Sequence, residues 1–78
     1  MNHVPEEVTD WCRAFATAVG VDPPTDQEID DLLALAGVAA HSSARQSAPI
    51  TCWLAARAGM VPSQALATAE EIANRRLP

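Results

Sequence analysis

The chain has 78 residues, a formal charge of −5 and no lysine, which suffices for one small domain and leaves no room for two. Hydrophobic residues make up 49%, but sixteen of them are alanine, so the larger side chains suit a small helical core and are too few for most other architectures. The five arginines, Arg13, Arg45, Arg57, Arg75 and Arg76, are scattered among ten carboxylates; no basic stripe neutralises a run of phosphates, and nucleic-acid binding is not expected.

Prolines and glycines divide the chain into four predicted helices. The first runs from about Pro5 to Val19. Pro5 suits a first helical position because it has no N–H to lose, and Glu6 and Glu7 complement the positive end of the helix dipole. Val8, Trp11, Cys12, Phe15, Ala18 and Val19 fall at helical spacing and predict one buried stripe. Gly20 can close the helix in the left-handed conformation. The connector Val21-Asp22-Pro23-Pro24 is stiff, since paired prolines cannot sit inside a helix.

Thr25-Asp26-Gln27-Glu28 reads as a capping box and opens the second helix. Ile29, Leu32, Leu33, Ala36 and Ala40 predict its buried stripe, with Leu35 and Ala39 on the flank. Gly37 lies inside it and is expected to permit close approach of another helix. This helix is expected to end between Ser43 and Arg45. Ala48 precedes a proline and is pushed out of helical geometry, which makes Pro49 the expected start of the third helix. Ile50, Trp53, Leu54 and Ala58 are its predicted inner face, and Gly59 its end. The fourth helix begins near Pro62 or Ser63 and buries Ala65, Leu66, Ala69, Ile72 and Ala73.

No segment alternates as a strand would. The expected fold is all-α: one domain over residues 1–78, ordered from about 6 to 76, as a compact irregular four-helix bundle with short loops. Alanines on the inner faces are expected to bring helix axes close, while Trp11, Phe15, Trp53 and the leucines act as buried anchors; the alternative is that one of the two tryptophans lies in a partner surface. The small core also invites a homodimer, because small domains bury a low fraction of their surface.

Residues 1–10 are polar and acidic rather than basic then apolar, so no signal peptide is expected, and no run of about 18 apolar residues is present to span a membrane. A cytoplasmic protein is the expectation. There Cys12 and Cys52, which lack C-x-x-C spacing, read as free thiols rather than a disulfide or a metal site. The acidic run Asp26, Glu28, Asp30 and Asp31 lacks the glycine turn of a calcium loop and reads as a solvated helix start. A Cys52–His41 nucleophile pair has no third group to orient the imidazole. No serine precedes Ser42, which removes the Asp-Ser-Leu attachment site of an acyl carrier protein. His3 is assigned no role. No catalytic residue, metal or cofactor is expected.

The polar segment around the second-to-third helix junction is the best candidate site. His41 and Arg45 would lie one turn apart if the helix continued, and Thr51 would open the next helix, whose free N–H groups suit an anion. The alternative is local capping of helix ends by the same residues.

Three pieces carry a resemblance: Asp10-Trp11 with the helix leading to Val19-Gly20-Val21-Asp22; Leu32-Leu33-Ala34-Leu35-Ala36 leading to Ala39-Ala40-His41; and Arg45 followed by Ala48-Pro49-Ile50-Thr51. Together they resemble a small actinobacterial helical domain of unknown function, found alone or associated with molybdenum cofactor guanylyltransferase. The sequence departs from that pattern at Gln46, where the family often carries proline. The resemblance implies a link to molybdenum cofactor biosynthesis, with the nucleotidyl transfer belonging to the partner, since this chain has no phosphate-cradling glycine loop. The expected function is a non-enzymatic accessory or protein-interaction domain whose partner is such an enzyme, presenting a surface around the second-to-third helix turn with His41 and Arg45 central. The alternative is a small anion- or nucleotide-binding module using His41, Arg45 and Thr51.

Overall fold

The computed structural model describes residues 4–76; His3 lies outside them. Four helices follow in chain order: α1 (Glu6–Val19), α2 (Asp26–Ser42), α3 (Ser47–Arg57) and α4 (Pro62–Arg76). No strand occurs among the described residues, and the expected all-α, four-helix class holds. The chain divides into two compact units with the boundary after Asp30, inside α2.

Local chemistry explains each helix end. Pro5 is the N-cap of α1 rather than its first residue, and its carbonyl accepts the Val8 N–H at 2.9 Å. At the start of α2 the Thr25 N–H donates to Glu28 Oε1 at 2.8 Å and the Glu28 N–H donates to Thr25 Oγ1 at 3.1 Å. This is the reciprocal capping box the sequence predicts. Half of the same device opens α4, where the Val61 N–H donates to Gln64 Oε1 at 3.4 Å and Pro62 takes the first helical position.

Two helices end alike. Gly20 has φ +79°, its N–H donates to the Thr17 carbonyl, and the Val21 N–H donates to that of Ala16. Gly59 has φ +72°, and the Gly59 and Met60 N–H groups reach the Ala56 and Ala55 carbonyls in the same pattern. Both are Schellman closures, which need a left-handed residue after the helix.

α3 begins two residues before the expected Pro49. The Ser47 N–H donates to the Ala44 carbonyl and the Ala48 N–H to that of Arg45, so the turn winds directly into the helix. Pro49 then falls in the first turn, where a missing N–H forfeits no intrahelical bond.

The buried residues are few: Ala16, Ile29, Leu35 and Ala65. Ile29 and Ala65 match the expected stripes, whereas Leu35, placed on the flank, is the most deeply buried side chain at 1% exposure. The expected aromatic anchors are exposed, Trp11 at 69% and Phe15 and Trp53 at 58%. Val19, Leu33, Ile50, Leu54 and Ile72 are exposed as well, and Ala18 and Ala58 with them.

On α1, turning about 100° per residue, Val8, Cys12 and Ala16 form the covered side. Trp11, Phe15 and Ala18 form the adjoining, exposed side, with the two rings stacked at a centroid distance of 6.5 Å. On α3 the covered side is Ala48, Thr51, Cys52 and Ala55, roughly 130° around the helix from the expected stripe. The physical reason is size. Faces of alanine, threonine and cysteine let helix axes approach, and spacing between packed helices is set by the side chains at the contact. Gly37 has no part in this: a Cβ built there meets nothing within 4 Å, so the expected close approach at that residue is absent.

Candidate functional site

The second unit carries an apolar groove of about 480 Å³, within the range of ligand and peptide-accepting clefts. α2 contributes Leu35, Val38, Ala39 and Ser42 to its wall. α3 contributes Ser47, Thr51, Leu54 and Ala55, and α4 contributes Ala65, Thr68, Ala69, Ile72, Ala73 and Arg76. The lining is alanine and hydroxyl residues with a few larger aliphatics, and Arg76 is its one charged side chain.

The three residues singled out from sequence are not brought together there. Thr51 lines the groove beside Ser42, Ser43 and Ser47, while His41 and Arg45 are not among the lining residues. The Ser47 hydroxyl donates to the Ser43 hydroxyl at 3.0 Å and ties the start of α3 to the residue that follows the end of α2. α2 stops at Ser42, so Arg45 sits in the turn beyond it and does not follow His41 one helical turn on. Both side chains are exposed.

Next to this turn, the outer face of α3 presents Ile50 and Trp53 to solvent. The Arg57 guanidinium lies 4.8 Å from the centre of the Trp53 ring, a cation–π arrangement. Cys12 and Cys52 are both free and half-buried. Burial pushes the Cys52 thiol above its ordinary value of 9.0, the opposite of the depressed value that activates a nucleophilic or metal-binding cysteine. Among the described residues no group of three His, Cys, Asp or Glu side chains could hold a metal ion, and no helix is long and apolar enough to cross a membrane.

Charge is divided unevenly along the chain. Up to Asp30 there are seven carboxylates and only Arg13; from Asp31 onward there are three carboxylates and four arginines. The first unit is therefore strongly acidic, and the second, which holds the groove, is close to neutral and slightly basic. Sequence reasoning missed the groove because its wall is built of small residues. Its signal was nevertheless present, in the helical recurrence of Ala65, Thr68, Ala69, Ile72, Ala73 and Arg76.

A family model described as a domain of unknown function, DUF6457, matches residues 3–77. Comparison with curated proteins and with solved structures gives no match.

Proposed function

The chain belongs to the DUF6457 family of domains of unknown function, and we propose that it is a non-enzymatic accessory domain of the cytoplasm that works by binding another protein. One observation carries this reading: Trp53 stands 58% exposed on α3 with Arg57 laid over its ring. Tryptophan and arginine are among the residue types most enriched at binding hot spots, and more than half of Trp53 is open to solvent. Ile50 extends the patch, and His41 and Arg45, exposed in the adjoining segment, supply a polar rim.

The resemblance noted in the sequence directs the search for the partner to molybdenum cofactor guanylyltransferase. The test is binding of the purified chain to that enzyme from the same organism, with Trp53→Ala as the control, together with molybdoenzyme activity after deletion. Binding lost in the variant and reduced activity on deletion are expected. No binding and unchanged activity would remove the cofactor link.

A small anion- or nucleotide-binding role for His41, Arg45 and Thr51 has less support, because Thr51 lines the groove and the two basic side chains do not. Phosphate and nucleotide titrations followed by amide NMR test it; shifts confined to residues 41–51 would favour it over protein binding.

A further inference from the structure

We propose that the groove of the second unit is a binding site for one linear aliphatic monocarboxylate, with the tail along the alanine-lined walls and the carboxylate at Arg76. This goes beyond the reading above and uses a different surface from the outer face of α3.

Every lining residue belongs to the second unit, so the site is whole within it. Its polar lining gathers at one end, Thr68 on α4 excepted. Residues 43–46 and 58–61 connect the three helices, and connections this short fold consecutive helices back on one another. The groove therefore follows α3 from Ser47 to Ala58 and returns along α4 from Ala65 to Arg76. The end of α2, the start of α3 and the end of α4 share one end, which carries Ser42, Ser43, Ser47 and Arg76. The opposite end is Leu35, Met60 and Ala65.

Shape selects an extended chain. Each of the two runs is about 17 Å long at the helical rise. A volume of about 480 Å³ over that length leaves a mean section of about 28 Å². A helix about 10–12 Å across takes about 80 Å² or more, so no helix, of this chain or another, fits within the walls. An extended peptide would bring an N–H and a C=O at each residue. Helical walls use their own backbone groups internally, and alanine and aliphatic side chains offer no replacement, so those groups would be buried without partners. A polymethylene tail needs none.

Charge selects the head group. Arg76 is the one charged side chain of the wall, and a guanidinium beside hydroxyls offers donors to an acceptor-only carboxylate. Ser47 already donates to Ser43 at 3.0 Å, which leaves the Ser43 hydroxyl proton for an outside acceptor. One cation matches a monoanion, whereas a phosphate ester, at about −1.5 to −2, stays under-neutralised.

The test is titration of the full chain with hexanoate, octanoate and decanoate, below the concentrations at which they form micelles, followed by amide NMR. Shifts are expected at the groove residues of α2, α3 and α4. Affinity rises roughly fourfold for each methylene buried. Arg76→Gln weakens decanoate roughly tenfold and leaves decanol, which has the tail without the charge, unchanged. Arg75→Gln, one position away and outside the lining, leaves decanoate affinity within about twofold at physiological salt. Ala69→Phe fills the middle of the groove and abolishes binding; Ala73→Phe serves if circular dichroism shows that variant unfolded.

The proposal is overturned by affinity that ignores tail length, by equal responses to the two arginine substitutions, or by binding that survives a filled groove. Decanoate that does not bind at all overturns it too, and a dimer in sedimentation equilibrium would then give the groove to a second copy. None of these measurements involves Trp53, whose own test is binding to the guanylyltransferase.

Discussion

Thr25 and Glu28 hold each other's backbone N–H at the start of α2, at 3.1 and 2.8 Å. Each side chain satisfies a donor that the first helical turn leaves without an intrahelical partner. Thr25→Ala is expected to lower stability by about 1 kcal/mol and Glu28→Ala by a similar or smaller amount. Because the two bonds form one device, the double variant loses less than the two single losses together. Urea unfolding of the four proteins measures the coupling, and strictly additive losses would show that the bonds act independently.

The three glycines should respond to alanine with opposite signs. Gly20 and Gly59 sit at φ +79° and +72°, where a Cβ is strained, so Gly20→Ala and Gly59→Ala each destabilise by about 1–2 kcal/mol. Gly37 lies inside α2 with open space where its Cβ would be. Gly37→Ala therefore stabilises by about 0.5–1 kcal/mol through helix propensity and a less flexible unfolded chain. Thermal unfolding of the three variants reads the signs directly.

The same contrast separates what the sequence could disclose from what it could not. Helix ends are local: the Thr25–Glu28 box, Gly20, Gly59 and Pro62 act within a few residues of themselves, so each could be read from its neighbours. Pro49 was misplaced only because a proline in any position of the first turn is tolerated. Helix faces are not local. On α3 the larger side chains Ile50, Trp53 and Leu54 predict an inner stripe, yet the helix packs by its small side, through Ala48, Thr51, Cys52 and Ala55. With sixteen alanines in the chain, size no longer marks the inside. The candidate site shared this fate: the 41–51 segment stood out because it is polar, while the groove is assembled from unremarkable residues on three helices.

Cys52 should behave as a reluctant thiol. Burial raises its pKa above 9.0, so at pH 8 less thiolate is present than in an unperturbed cysteine, and alkylation is slowed. Comparing Cys12→Ser, which leaves Cys52, with the same variant in urea is expected to show faster modification of the unfolded chain. The sign for stability follows from the folded state holding its proton more tightly. The contribution is fully present below the unfolded-state pKa and is lost as pH rises through the higher folded-state value. Stability of Cys52→Ser should lack this alkaline decline, and an equal decline in both proteins would assign it to other groups.

Leu35 and the two tryptophans should invert the usual ranking of core residues. Leu35 is 1% exposed, and Leu35→Ala both forfeits its transfer from water and leaves a cavity, for a loss of about 2–5 kcal/mol. Trp11 and Trp53 are each more than half exposed, so their truncation stays near the about 0.5 kcal/mol typical of surface substitutions. Denaturant unfolding of the three variants reads this ranking directly.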